Sequence, residues 1–254
     1  MDFYADRPLV LAHRGAREVA PENTMAAFQA ALAMGADGIE LDVMLSADGV
    51  PVVIHDFTLE RTTNGQGRVA ERTLAQLQAL DAGLYFAPRY QGERIPALEQ
   101  VLDTFGGSLR INIELKSHTL AQTDLEAAVA QLVVQKGLIS SVIVSSFDPL
   151  SLWRMRRINP RIARGLLYAR HMPLFLRRAW AAPFLALDAL HPQASMVDAA
   201  YVRWARRKGY HINVWTGNEP AEMERLLVLG VDMLITDRPD VARKIVDARR
   251  RAAG

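Results

Sequence analysis

Gly38-Ile39-Glu40-Leu41-Asp42-Val43 is followed, after Ser46-Ala47-Asp48-Gly49, by Pro51-Val52-Val53-Ile54-His55. The first run alternates aliphatic and acidic residues. Neighbouring side chains of an extended strand point to opposite faces, so Glu40 and Asp42 share one face and Ile39, Leu41 and Val43 the other. The link from Met44 to Val50 is too short for a helical crossover. The two runs are therefore expected to form an antiparallel hairpin. Pairing them about the middle of the turn sets His55 opposite Glu40, folding the imidazole back over the carboxylates.

Around this hairpin the chain alternates short apolar runs with helix-period segments. Candidate strands are Leu9–His13, Gly38–Val43, Arg110–Leu115, Val142–Ser146, Ala163–Leu167, Leu187–Leu190, His211–Trp215 and Met233–Thr236. Amphipathic stretches such as Thr24–Met34, Leu125–Lys136, Pro149–Arg157, Ala199–Lys208 and Pro220–Leu229 lie between them. Strand and helix repeating with short connections indicate a parallel α/β fold, and eight strands in this length suit a (β/α)8 TIM barrel. No dinucleotide-binding Gly-x-Gly-x-x-Gly follows the first strand, and the chain has no phosphate-loop Gly-Lys-Ser/Thr. The whole of 1–254 is expected to be one such domain. A small insertion at about 56–109 follows the hairpin, with a Gly-rich turn at Thr62–Gly67 and helices at Leu74–Leu80 and Pro96–Phe105.

Polar residues inside the strands carry the functional signal. Arg110-Ile111-Asn112-Ile113-Glu114-Leu115-Lys116 repeats the alternation, so Asn112, Glu114 and Lys116 share a face. Carboxylates gathered within ~5 Å repel by roughly 3 kcal/mol per pair at an effective dielectric of 20. A divalent cation relieves this, and an all-oxygen set favours magnesium, calcium or manganese over zinc. His13 ends the first strand, and Arg14-Gly15 follows at the strand end where barrel active sites are built. His55 lies beside Asp56. Two imidazoles flanking a metal and an arginine suit general acid–base work on an anionic substrate. His191, at a strand end before Pro192, is a weaker candidate for substrate contact. His211 begins its strand and reads as structural; His118 and His171 read as solvated connection residues. Trp215 and Phe147 read as an apolar pocket wall, and Asn23 or Thr24 as a helix N-cap.

The chain has 254 residues, half of them hydrophobic, and a formal net charge of +2. It has no cysteine, which excludes disulfides, zinc–thiolate sites, iron–sulfur clusters and thiol catalysis. No apolar run reaches the ~20 residues that span a bilayer, and the N-terminus does not read as a secretion signal, so a cytoplasmic location is expected. The arginines are not clustered with aromatics in the manner of a nucleic-acid site. Arg249-Arg250-Arg251 reads as a solvated helix end. Met172–Leu187 reads as an amphipathic helix packed on the barrel rather than a peripheral membrane contact.

Taken in order, His13-Arg14-Gly15, Pro21-Glu22-Asn23-Thr24, Gly38–Val43, Asp48-Gly49, Val52–Asp56 and Arg61-Thr62-Thr63 resemble the glycerophosphodiester phosphodiesterases. Asn112–Lys116, Val214-Trp215-Thr216 and Ile235-Thr236-Asp237-Arg238-Pro239 extend the likeness over roughly residues 9–240. The resemblance implies a metal-dependent barrel that hydrolyses small-molecule glycerophosphodiesters to sn-glycerol 3-phosphate and an alcohol. Carried over, Glu40, Asp42 and Glu114 hold one Mg2+ or Ca2+, and His13 and His55 form the acid–base pair. Arg14 and Lys116 would hold the phosphate, with Trp215 beside the substrate. Which histidine is the acid, and whether water or the neighbouring glycerol hydroxyl attacks, stays open, as does the number of subunits. A phospholipase acting on lysophospholipids and a non-catalytic phosphate-binding barrel are the competing readings.

Overall fold

The computed structural model of the chain describes residues 3–116 and 124–253; His118 lies outside the described residues. Nine strands form one sheet: β1 (Leu9–His13), β2 (Gly38–Leu45), β3 (Pro51–Val53), β4 (Arg110–Leu115), β5 (Val142–Ser146), β6 (Ala163–Tyr168), β7 (Ala189–Pro192), β8 (His211–Val214) and β9 (Met233–Thr236). All except β3 pair in parallel, and β1 joins both β2 and β9, closing an eight-stranded barrel with helices around it. Each barrel strand alternates, as the sequence pattern requires. Ile39, Leu41 and Val43 pack outward with Ile111, Ile113 and Leu115 against helices carrying Phe28, Val101 and Val129, while Glu40, Asp42 and Asn112 are buried on the other face.

Register sets the site. His13 lies beside Glu40, and Glu40 beside Asn112; one layer up, Asp42 lies beside Glu114. The parallel ladders thus bring residues from three strands into two adjoining layers near their C-terminal ends, the end of such barrels where sites form.

The hairpin differs from expectation by one residue. Val43 pairs with Val53 and Leu45 with Pro51, so Asp42 and Ile54, not Glu40 and His55, fall opposite each other. The cause is loop length. The Ser46 N–H donates to the Val50 carbonyl, leaving a three-residue loop that ends on Gly49 at φ +78°. Such loops place a left-handed residue last, a conformation open to glycine. β3 ends at Val53, and His55 reaches the carboxylates from the segment beyond it. The insertion that follows closes over its own apolar cluster, including Ile54, Leu59, Val69, Leu77 and Ile95.

Two other expectations are corrected. β7 runs two residues later than Leu187–Leu190, so His191 is an interior strand residue, fully buried, sharing a 2.8 Å hydrogen bond with the Asn213 amide. Burial pushes its pKa down to about 3, which keeps it neutral. It is a core histidine and does not line the cavity at the C-terminal ends of the strands. Met172–Leu187 is not one packed helix. Pro173 and Pro183 start two single-turn pieces, Leu174–Arg177 and Ala182–Leu185, and Ala186 at φ +47° ends the second. No described helix is long and apolar enough to cross a membrane.

Candidate active site

The strand ends open into a cavity of about 430 Å3 lined by His13, Arg14, Glu40, His55, Asn112, Glu114 and Lys116. Phe147, Leu167, Trp215 and Ile235 supply an apolar wall. One oxygen from each of Glu40, Asp42 and Glu114 lies within 4.8 Å of the others. Glu40 and Asp42 are buried, and the Glu114 side chain is 12% exposed. Burial and mutual repulsion divide the three. Burial, then Asp42 and Glu114, push Glu40 well above its ordinary carboxyl value. Glu114 rises to about 7 through burial and the Asp42 charge, against the pull of Lys116. Asp42 is also opposed by burial, but Lys116, Arg14 and His55 outweigh it and hold its pKa at about 2.

The cations are fixed by this acid cluster. Lys116 Nζ lies 3.0 Å from Glu114 Oε1 and 3.4 Å from Asp42 Oδ1. Arg14 is left-handed at φ +56°, which turns its backbone N–H onto Glu40 Oε2 at 3.0 Å. Its guanidinium donates to Glu22 at 2.9 Å and lies 3.3 Å from Asp42. Gly15 follows at φ +82°, where an added Cβ would fall 2.6 Å from that of Ala27. Only glycine meets both demands.

His13 and His55 are each held by a carboxylate of their own. His13 Nδ1 lies 2.7 Å from Asp237 Oδ1, and Asp237 in turn accepts from Asn218 Nδ2 at 2.7 Å. His55 Nδ1 pairs with Asp56 Oδ1, and the second oxygen of Asp56 accepts from Arg61. An ionised carboxylate can only accept, so each Nδ1 donates, and Nε2 is the nitrogen left to take up or give a proton. His13 Nε2 stands 4.0 Å from Glu40. Burial lowers the His55 pKa, helped by Lys116 and Arg14 against Asp42 and Asp56.

Five residues that support the site are not among its candidates in the sequence, Asn23 being read there only as a possible N-cap. Glu22 is buried and takes two hydrogen bonds from Arg61, at 2.7 and 3.0 Å, besides that from Arg14. Asn23, left-handed at φ +57°, donates to Asp42 Oδ2 at 2.9 Å; Thr24, the alternative, is the N-cap of Met25–Ala33. Asp56 and Asp237 orient the imidazoles, and Arg61 joins Glu22 to Asp56. Each belongs to a motif quoted above, but short-range capping rules cannot reveal partners across the barrel.

Trp215, just past the end of β8, lines the cavity with its ring edge-on to Phe147 at 5.4 Å and Nε1 donating to the His191 carbonyl. His171 is exposed in its connection, as expected, and it also lines the same cavity. His211 begins β8 at the opposite end, stacked on Tyr4 at 3.6 Å and 3.5 Å from Asp232. Replacing His211 with alanine is expected to lower the melting temperature while leaving steady-state turnover within a few-fold. An inactive but folded variant would contradict the barrel polarity.

Comparison with known proteins bears on this arrangement. Residues 13–241 match the model of the glycerophosphoryl diester phosphodiesterase family. A glycerophosphodiester phosphodiesterase of Caldanaerobacter subterraneus subsp. tengcongensis is 38% identical over 242 residues, covering 94% of this chain and 98% of that protein. One from Bacillus subtilis is 35% identical, covering 94% and 87%. Among solved structures, a phosphodiesterase of Oleispira antarctica in complex with the product sn-glycerol-3-phosphate superposes with a TM-score of 0.86. It is 32% identical, over 97% of this chain and 100% of that one. With a TIM barrel, a cavity rich in acids and bases at its C-terminal end and matches along nearly its full length, this chain is an enzyme of the glycerophosphoryl diester phosphodiesterase family.

Proposed function

We propose that the chain hydrolyses glycerophosphodiesters to sn-glycerol 3-phosphate and an alcohol by two-histidine acid–base catalysis that depends on a divalent cation. The observation that carries this reading is the shared cavity: two carboxylate-held imidazoles open onto the space beside a three-carboxylate cluster and two fixed cations. The product seen with the Oleispira relative agrees in kind.

The donor set fits a hard cation. Among the described residues, Asp42 Oδ1, which meets the Lys116 ammonium only at 3.4 Å, and Asn112 Oδ1 are buried without a hydrogen-bond partner, and three carboxyl groups this close are hard to ionise together without a cation. Glu40, Asp42 and Glu114 would hold Mg2+ or Ca2+, both of which take oxygen ligands. Bound there, the cation would offset charge on the phosphoryl oxygens, including the charge that develops in the transition state.

The chain's own groups do the rest. Arg14 and Lys116 attract the singly charged diester and orient it, while Trp215 and Phe147 give the non-reacting portion an apolar wall. One imidazole accepts the nucleophile's proton at Nε2. The other, protonated, delivers a proton to the departing alkoxide as the P–O bond breaks. Asp237 and Asp56 hold the ring orientations and stabilise each imidazolium as it forms. If the glycerol hydroxyl attacks first, water opens the resulting cyclic phosphate and the two histidines exchange roles.

Incubation with glycerophosphocholine and separately with lysophosphatidylcholine, read by phosphorus NMR and free choline, tests the substrate class. Release of glycerol 3-phosphate with choline from the first substrate is the expected result. Turnover confined to the second would assign the cavity to lysophospholipids instead.

A further inference from the structure

Residues 149–187 contain eight arginines and no aspartate, glutamate or lysine. The chain as a whole is +2, so this stretch carries +8 and the remaining residues sum to −6. It comprises the helix Pro149–Ile158, β6 and the broken connection that leads to β7. Six of its arginines, Arg156, Arg157, Arg161, Arg170, Arg177 and Arg178, are exposed, and none is ion-paired with a carboxylate among the described residues.

The same stretch holds seven of the twelve large apolar side chains exposed among the described residues, including Trp153, Phe175, Trp180 and Phe184. Trp180 is 57% and Phe184 77% exposed. Basic and apolar groups are interleaved. Arg156 donates to the Phe184 carbonyl at 3.0 Å, tying the helix to the connection, and Arg157 lies over the Trp153 ring at 5.5 Å. Between Trp180, Met196, Tyr201 and Trp204 opens a second cavity of about 410 Å3, with Arg177 and Arg178 among its lining residues.

We infer that this face docks on the surface of a bilayer containing anionic phospholipid. Aromatic side chains that project into water beside unpaired arginines suit the boundary between acyl chains and headgroups, where the rings enter apolar surroundings and the guanidinium groups meet phosphate. The second cavity offers an apolar recess beside two phosphate-binding groups. Charge argues against a second copy of the chain: a two-fold contact would set against itself a stretch of eight arginines that holds no carboxylate of its own. Projecting Leu174, Phe175 and Phe184 are poor partners for a phosphate backbone, which takes polar and basic contacts. The connection also begins at the reaction cavity, where His171 lines the wall three residues before Leu174.

Vesicle sedimentation tests this with the full chain, using phosphatidylcholine alone and an equal mixture with phosphatidylglycerol. Two double variants are compared, Trp180→Ser with Phe184→Ser and Arg177→Glu with Arg178→Glu, with circular dichroism as the fold check. A variant that fails the check is replaced by Phe175→Ser, exposed on the same face. The expected result is that the protein pellets with the mixed vesicles and leaves them in molar salt. Each variant is expected to partition at least about tenfold less. Failure to pellet with mixed vesicles, equal binding to neutral ones or undiminished binding by both folded variants would overturn the proposal. So would tighter binding to a nucleic-acid fragment, or a dimer that Phe184→Ser dissolves.

Discussion

Glu114→Gln is expected to lose essentially all cation-dependent turnover while its metal-free form becomes more stable above neutral pH. The two effects share one cause. Burial and the Asp42 charge raise the Glu114 pKa from 4.5 to about 7. Below pH 4.5 the carboxyl is protonated whether the chain is folded or not. Between 4.5 and about 7 the unfolded chain ionises it while the folded chain does not, so stability falls as pH rises. At 1.36 kcal/mol per pKa unit the loss is about 3 kcal/mol. Glutamine keeps the shape but cannot ionise, which removes both the pH-dependent loss and a charged oxygen ligand. Thermal melts at pH 5 and pH 8 in chelator, beside turnover at saturating magnesium or calcium, read both effects. A variant that melts lower than the parent at pH 8 yet turns over normally would place the cation elsewhere.

His13→Gln and His55→Gln are each expected to lower kcat by about 10³-fold, within the usual range for a positioned acid or base. The double variant should be little worse than the poorer single one, because the two groups act in one transition state. The pH dependence separates their roles. His55 sits below its ordinary value of 6.5 because burial, Lys116 and Arg14 disfavour its cation more than Asp42 and Asp56 favour it. The limb of the rate profile that reports His55 therefore falls below pH 6.5 and should vanish in His55→Gln, leaving the other limb in place. Loss of activity with both limbs retained would make His55 a binding group only.

Much of this site could be read from the chain because strand alternation is strict. Once Gly38–Val43 and Arg110–Lys116 are strands, Glu40, Asp42, Asn112 and Glu114 must face one way, and parallel register brings the two runs side by side. The hairpin slipped by one position because the sequence does not announce a three-residue loop; only the backbone at Gly49 does. β7 was misplaced because Leu187–Leu190 is apolar enough to be a strand, whereas the ladder that fixes its ends is set by Gly165 and His211 on neighbouring strands. Asp237 lies 224 positions from His13, and Glu22 lies 39 from Arg61. Such pairs exist only after barrel closure. The apolar content of Met172–Leu187 suggests one packed helix, but the rings of Pro173 and Pro183 break it and its aromatic residues are left in solvent.

The most direct measurement is turnover of glycerophosphocholine by protein stripped with chelator, then with magnesium or calcium restored, followed through glycerol 3-phosphate. The account predicts that activity disappears on stripping and returns with at least one of the two ions, and that it does not return in Glu114→Gln. Full activity in chelator, from protein shown to be free of metal, would contradict it.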